Sequence, residues 1–473
     1  MLENLNFSQG NGFGQMSWQD LAALQSMLRK DLTAGYGSPA TSPVSALTGG
    51  QPLIPQSIEA TLAFAAADVK KEVKLWPRLV KTDIFSSVHE FTRVNERGLN
   101  FDPFILEGSK PAVNAGLYER LFQRVKYLGD LRRITDQMAQ MRILGGDASA
   151  VALEDRLGTQ SLLLKTENAL FWGDSRSNAA AFDGLIPMME QLAPANIFDL
   201  RGANLTEERI KTDLAQSHEQ SYVAPDLLVT SYTTQQILSA LRGGNQFYVN
   251  VSGQANVTAG VTVTEVPTSI GPIPLEGNLF LRLRKPGTGA VGTSAPAMPG
   301  GGGAPAYTPG AVGPGETSQF AAADQGNYRY RLVAVGPDGR SAPADSGAVP
   351  VAAGQKVTIT VGTGGETGIT YFEVYRSAVG GVTADATFIG SVAYSTLGAT
   401  SFTDLNDTMG GTTWALAIPL AADIYKFVRL LDLMRRFIPF PGLAIEFAIL
   451  LFGAPLYQVP TKFAAWKNVG QTI

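Results

Sequence analysis

Very few side chains in this sequence are equipped for bond-making chemistry. Among 473 residues there are two histidines, His89 and His218, and no cysteine. Without thiols there is no disulfide, no thiolate nucleophile and no Cys-bound zinc or iron–sulfur cluster. Two separated histidines do not make a multi-histidine metal site, and neither sits in a Ser/Asp arrangement that would serve nucleophilic catalysis. No GxSxG, Walker-type loop or HExxH occurs. The adjacent acids Glu154/Asp155 and Glu207/Glu208 sit at helix starts and faces, where carboxylates match the dipole or are solvated. Gly300–Gly303 lacks the Lys-Ser/Thr and the following helix of a phosphate loop. Arg132-Arg133 and Arg435-Arg436 are the candidates for phosphate contact, with surface or intersubunit ion pairs as the more ordinary role. The expectation is a non-enzyme: no catalytic residue, no cofactor, no metal.

Charge narrows the partners. Lys plus Arg is 37 and Asp plus Glu is 41, a formal net charge of −4, and charged residues are 16% of the chain against the usual ~25%. A dedicated nucleic-acid binder carries a basic excess that is missing here. The opening MLENLNFSQGNGFG has neither a basic n-region nor an apolar h-region. The run FPGLAIEFAILLFGAPLY contains Glu446 between Pro441 and Pro455 and falls short of the ~20 apolar residues of a bilayer span. It predicts a buried strand, in a soluble chain made in the cytoplasm and with no membrane partner.

The elements that must position any functional surface change character along the chain. Ser17 opens an amphipathic helix with Trp18, Leu21, Leu24, Leu28 and Leu32 on one side, and a second runs from about Ser57 to Leu75, stopped by Trp76-Pro77. From Lys81 to Gly129 extended segments flank Gly98 and Gly108–Gly116. This predicts a long β-hairpin, reaching ~60 Å if each arm has ~20 residues at ~3.3 Å rise. Such a ribbon is only marginally stable alone. Its charges, Arg93, Glu96, Arg97, Glu107, Arg120, Arg124 and Lys126, need partners or water. The spacing therefore points to contact with another chain.

Residues 147–173 predict the longest helix, with Asp147 as N-cap and Gly173-Asp174 as stop. FDGL (182–185) and IFDLRG (197–202) look strand-like. Thr206 caps a helix bearing Ile210, Leu214 and His218. PDLLVTS (225–231) predicts a buried strand, followed by a short helix at about Thr233–Leu241. Pro286 to Gly315 holds 10 Gly, 6 Pro and no charge, a flexible-linker composition. From Thr317 to Met409 the pattern is purely β, with short alternating strands at sandwich spacing, 8 acids and 5 bases. After Trp414 mixed helix and strand signals resume, in RLLDLMRRFIPFPG and EFAILLFGAPLYQVPTKFAAWKNV. The β unit is thus an insertion into another domain.

In their order along the chain, KYLGDLRRIT (126–135), ENALFWGDS (167–175), FDGL, NIFDLRGANLTEE (196–208), PDLLVTS and LLFGAPLYQVPTK (450–462) resemble the major capsid protein of tailed bacteriophages. YRYRLVAVGPDGRSAPA (328–344), FEVYRS and SFTDLND resemble a fibronectin type III or immunoglobulin-like domain. The resemblance implies an α+β capsid fold. It has an N-terminal arm (1–80), an E-loop hairpin (81–129) and a peripheral domain with a spine helix (130–182, helix about 147–173). It continues with an axial domain (183–285), a linker (286–316), an inserted sandwich (317–409) and a return to the axial and peripheral domains (410–473). It further implies assembly of identical chains into pentamers and hexamers of an icosahedral head enclosing double-stranded DNA. The implied location is the virion capsid, assembled in host cytoplasm. The implied intersubunit candidates are Arg93, Arg97, Glu107, Arg120, Arg124, Lys126, Trp18 and Leu28, with Arg132, Arg133, Arg435 and Arg436 as DNA-facing or ion-pair candidates. Portal, scaffold, protease or cement proteins would be further partners, and the sandwich would touch host surfaces or glycans or stiffen the exterior. Some family members cross-link through Lys and Asn; Lys81 and Lys110 lie in or beside the hairpin without a specific sign of it. Encapsulins share the fold, and the insertion and long N-terminal arm favour the phage. A secreted carbohydrate-active enzyme can also carry a fibronectin-like module, but the internal position of the sandwich argues against it.

Overall fold

The computed structural model describes residues 72–96, 104, 107–110, 115–140, 149–243, 264–287, 296, 298, 305–361, 366–439 and 442–472. Trp18, Leu28, Arg97, Asp147 and most of the 57–75 helix lie outside them; of that helix Glu72 is helical and Val73–Leu75 are not. Strands β1 (Val80–Asp83), β2 (Val88–Glu96), β3 (Leu117–Arg124) and β4 (Lys126–Thr135) come first. Helices α1 (Asp136–Gln140), α2 (Ala150–Trp172) and α3 (Leu185–Leu192) follow, then β5 (Ile197–Asp199), α4 (Glu207–Ser221), β6 (Leu227–Thr230), α5 (Tyr232–Gly243), β7 (Glu265–Thr268) and β8 (Gly271–Gly277). A β-only stretch holds β9 (Ala306–Ala311), β10 (Gly326–Tyr328), β11 (Tyr330–Gly336), β12 (Gly339–Arg340), β13 (Ala344–Asp345), β14 (Val349–Val351), β15 (Gln355–Val361), β16 (Tyr371–Arg376), β17 (Thr387–Ala393) and β18 (Thr400–Asp404). The chain closes with β19 (Thr413–Ile418), β20 (Tyr425–Ile438), β21 (Ala444–Tyr457) and β22 (Ala464–Val469).

The body has two sheets. The first runs β1-β20-β21-β4, and the 14 residues of β20 and β21 make it about 46 Å long at ~3.3 Å per residue. α2 lies on one face of it. Ser149, not the expected Asp147, caps α2 by accepting the Ala152 N–H at 3.2 Å. α2 meets the sheet through charge along one side: Arg132 reaches Glu154 at 3.3 Å, Arg435 reaches Asp155 at 3.0 Å, and Lys165 reaches Asp130 at 2.7 Å. Towards its C-terminal end it also buries Leu162, Leu170 and Phe171 in the main core with Phe427, Phe447 and Ile449. Gly173 and Gly184 let the chain double back at the end of α2: a Cβ on Gly173 would meet Phe182 O at 2.5 Å, and one on Gly184 would meet Ala169 O at 2.7 Å. FDGL is therefore a buried turn leading into α3, not a strand.

The second sheet has the order β5-β22-β19-β6-β8-β7. Its central strands β6, β19 and β22 are buried along their whole length, as strands covered on both faces must be. One face joins the main core through Leu227, Val229, Leu416 and Ile418; the other closes a second core with Ile210 and Leu214 of α4 and Leu238 of α5. Thr206 caps α4 as expected, accepting the Arg209 N–H at 3.2 Å. The return segment departs from expectation at RLLDLMRRFI (429–438), which lies in the strand β20 with no helix in it.

From Ala306 to Met409 the chain forms a further β unit. Sheet β12-β11-β16-β17, with β13 beside β11, and sheet β18-β15-β9 contribute to one core with Tyr330, Leu332, Val357, Ile359, Phe372 and Val374. β9 pairs with β15 from Ala306 to Ala311, so this unit begins inside the expected 286–316 linker; Gly and Pro composition hid a strand. Arg376 is buried under it, its guanidinium 2.5 Å from Asp404 and 2.6 Å from Asn406, and 5.0 Å from the Tyr328 ring. Tyr330 adds its hydroxyl to Asp404 at 2.9 Å. Arg376→Ala would leave Asp404 buried with an uncompensated charge, a loss of about 3–5 kcal/mol. Chemical denaturation followed by tyrosine fluorescence should register it; a loss under ~1 kcal/mol, the range of exposed pairs, would show that Asp404 is reached by water.

Candidate assembly surface

The β2–β3 ribbon is rooted by a small cluster of Ile84, Val125, Val428 and Leu456, with Phe91 and Phe452 against it. The Ile84 N–H donates to Arg429 O and the Val125 N–H to Ser87 O, both at 2.9 Å. This root corrects the expected hairpin limits. β1 pairs in parallel with β20, and Lys126 to Gly129 belong to β4, paired with β21. Among the described residues, pairing within the ribbon runs from Val88↔Arg124 to Glu96↔Leu117, over nine residues of one arm and eight of the other; the segment between the arms, 97–116, lies largely outside the described residues.

Side chains alternate across the ribbon. On one face Phe91 and Leu121 look onto Leu192, Tyr457, Val459 and Pro460 of the same chain. The same face carries Arg93 and Glu119, 2.6 Å apart, with Asn95 donating to Glu119 at 2.9 Å. These hydrogen bonds, from Asn95 and then Arg93, hold the Glu119 carboxyl below its usual pKa. His89 is half-buried, and burial together with Lys426 lowers its pKa. The other face is open: Val88, Val94, Tyr118 and Phe122 are exposed, the last two by 69% and 65%, with an Arg120–Glu90 ion pair among them. Phe85, in the turn before β2, is fully exposed.

The sequence-level candidates are thus redistributed. Arg93 and Arg120 find acids within the ribbon instead of needing another chain. Lys126 donates to Ala179 O at 2.5 Å. Arg124 and Glu107 are exposed. Lys81 donates to Trp76 O at 3.2 Å and lies 4.8 Å from the Trp76 ring centroid; Lys110 is exposed. What the sequence reasoning passed over is the apolar set Phe85, Val88, Val94, Tyr118 and Phe122. Its signal was present in the alternation of β2, where a solvated strand would have carried polar residues on its outer face.

A second exposed apolar surface lies on the first sheet, on the face away from α2. Register places Tyr127 beside Phe452, Gly129 beside Leu450 and Met434, and Leu131 beside Ala448 and Arg436. Tyr127, Leu131, Met434 and Ile438 are exposed. Three of the four paired-arginine candidates hold acids of the same chain: Arg132 with Asp130 at 2.7 Å and Glu154, Arg133 with Glu446 at 3.2 Å, and Arg435 with Asp155. Arg436 is exposed.

Asp130 is the hub of the α2-to-sheet contact. Burial pushes its pKa up, but the hydrogen bonds and charges of Lys165 and Arg132 outweigh this and hold it below the ordinary aspartate value. A depressed carboxylate contributes stability that is present above its unfolded pKa and is lost as pH falls through the folded one. Asp130→Asn is therefore expected to destabilise the chain at neutral pH, and the gap to the wild type should close below pH ~4. Urea titrations at a series of pH values would show it; a gap independent of pH would remove Asp130 from the linkage.

No protein-family model matches the chain. A protein of Enterococcus phage phiEF24C, named provisionally as a major capsid protein, is 23% identical over 469 residues, covering 95% of this chain and 96% of its own. The major capsid proteins of Staphylococcus phages S25-3 and K are each 23% identical over 373 residues, 73% of this chain and 74% of theirs. Among solved structures, the capsid of a native GTA particle aligns over 91% of this chain and 99% of its own at 7% identity, with a TM-score of 0.46. The SrpI encapsulin of Synechococcus elongatus PCC 7942 aligns over 92% and 98% at 10% identity, with a TM-score of 0.41. The chain is similar in sequence to proteins named as phage major capsid proteins, over 95% of its length in one case and 73% in the others.

Proposed function

We propose that this chain is the major capsid protein of a tailed bacteriophage, a structural protein whose identical copies form pentamers and hexamers and close an icosahedral head around double-stranded DNA. The observation that carries this reading is the sequence likeness to a phage capsid protein over 95% of the chain. The geometry supports it. A two-stranded ribbon with an exposed apolar face, rooted in a rigid sheet, is a surface that needs a neighbour. The ribbon would be the E-loop, α2 the spine helix, the β1-β20-β21-β4 sheet the peripheral domain, and the six-stranded sheet the axial domain near each capsomer centre. The unit from β9 to β18 would be an immunoglobulin-like sandwich displayed outside the shell.

Function then follows from geometry rather than chemistry. The apolar outer face of β2 and β3 would pack on a neighbouring subunit, and each contact would repeat at every symmetry-related position. A formal net charge of −4 suits a container whose wall must not bind the phosphate backbone strongly. Sedimentation of the expressed full chain tests the reading. Rings or closed particles are the expected species, and particles built by infected cells should contain DNA. Particles filled with a protein cargo and free of nucleic acid would redirect the assignment to an encapsulin-type compartment.

A further inference from the structure

We infer that the β unit from Ala306 to Met409 is an intramolecular brace, clamped to two separate points of the body, rather than a module swinging on its linkers. The composition of residues 286–315, rich in Gly and Pro without charge, predicts a loose tether. The contacts at the two seams say otherwise.

The first seam gathers Arg201, Asn406 and Asn468. Arg201, in the turn after β5, sends its guanidinium into the β unit: it donates to Gln319 O and Asn406 O at 2.8 Å each, and to Asp324 at 2.9 Å. Asn468, at the end of β22, accepts the Met409 N–H at 2.8 Å and donates to Asp407 O at 2.9 Å and Asp199 at 2.8 Å. Lys467 pairs with Asp407. Arg201, Asn406 and Asn468 all have left-handed backbones, with φ of 48°, 63° and 54°. That conformation is unfavourable for a residue with a side chain and persists only where surroundings over-determine it. Three such residues joined in one hydrogen-bonded network mark a built joint.

The second seam is 284–285 against the end of α2. The Arg284 guanidinium lies between two rings, 5.0 Å from Trp172 of the body and 4.2 Å from Phe388 of the β unit, and those rings meet edge to face at 5.7 Å. It also pairs with Glu373 at 3.1 Å, a carboxylate 2% exposed and shared with Arg340 at 3.1 Å. The Phe388 N–H donates to Arg284 O at 2.8 Å, and the Ser391 and Ser177 hydroxyls are 2.9 Å apart. One seam grips the end of β22 beside the second core, the other grips the end of α2 beside the main core. A unit held at both ties the helix to the six-stranded sheet from outside.

Amide hydrogen exchange on the full chain reads the joint directly. The cross-seam amides of Met409 and Phe388 should exchange at least 10-fold more slowly than the same amides would in an unstructured chain. Two double variants then separate the seams from the body. Arg201→Ala with Arg284→Ala removes the body side; Asp324→Ala with Phe388→Ala removes the unit's side. In each, protection at Met409 and Gly202 should fall at least 10-fold while Leu228 and Leu416 stay protected. Calorimetry should change from one transition to two. Cross-seam amides in the wild-type chain exchanging at the rate of an unstructured chain, or protection unchanged in both double variants, would overturn the brace. The wild-type measurement decides even if a variant fails to fold.

Discussion

Replacing residues 97–116 by a short turn is expected to leave a folded chain that no longer closes into shells. The root cluster of Ile84, Val125, Val428 and Leu456 lies outside the deletion, so the body keeps its fold. The ribbon keeps its pairing from Val88 to Arg124, and the segment joining its arms is lost. Stable contacts between subunits bury about 800 Å² per partner, and the ribbon is the extended element available to supply it. Because a closed shell repeats the contact at every subunit, weakening it acts on all of them at once. Tyr118→Asp with Phe122→Asp should act in the same direction with less backbone disturbance, since both side chains are exposed. Sedimentation velocity would separate subunits from particles. Closed shells from both the deletion and the Tyr118→Asp/Phe122→Asp variant would show that the ribbon is not the assembling contact.

Glu167→Ala is expected to give the largest loss of stability of any single substitution in the body, about 3–5 kcal/mol. Glu167 is fully buried on α2. Its carboxylate accepts the Leu75 and Trp76 N–H groups at 2.8 Å, the Lys74 N–H at 3.2 Å and the Asn278 amide at 3.1 Å. Burial nevertheless pushes its pKa up, the hydrogen bonds opposing it. Truncation strands three backbone donors in the interior where water cannot replace the acceptor. It also frees the point where the chain before Val80 meets both sheets, since Lys74 donates to Gly277 O at 2.6 Å and Arg78 pairs with Glu276 at 2.5 Å. Glu167→Gln should recover only part of the loss, because its amide nitrogen would face a donor. Guanidinium titration is the measurement; a loss under ~1 kcal/mol would mean that the 74–76 turn finds other acceptors.

How far the sequence reached can be judged residue by residue. Local signals were legible. Thr206 with Glu207 and Glu208 announced α4, and PDLLVTS announced β6, because a cap and an apolar run act within a few residues. β20 was misjudged because Arg429, Asp432, Arg435 and Arg436 imitate helical spacing, while its outer half is exposed and so lacks alternation. β9 was hidden by the Gly/Pro-rich composition around it. Glu167 gave no signal, since its partners lie at 74–76 and 278 and only the fold unites them. The assembly candidates within the hairpin were chosen for charge, and the fold pairs Arg93 and Arg120 within the ribbon, leaving the apolar residues beside them exposed. A buried arginine such as Arg376 is likewise invisible until Asp404, 28 residues on, is brought beneath it.

The insertion also acquires a different role from a detachable ornament. Deleting 286–410 with a short Gly/Ser bridge keeps both body cores, but it strips Arg201, Arg284, Lys467 and Asn468 of their partners. Assembly should survive the deletion at low temperature, in shells that fail earlier on heating.

Electron microscopy of the full chain, expressed alone and imaged without fixation, tests the central claim most directly. Closed icosahedral shells or capsomer rings, with knobs on the outside where the β unit stands, are the predicted result. A monodisperse monomer at every concentration and ionic strength, with no rings in any field, would contradict it.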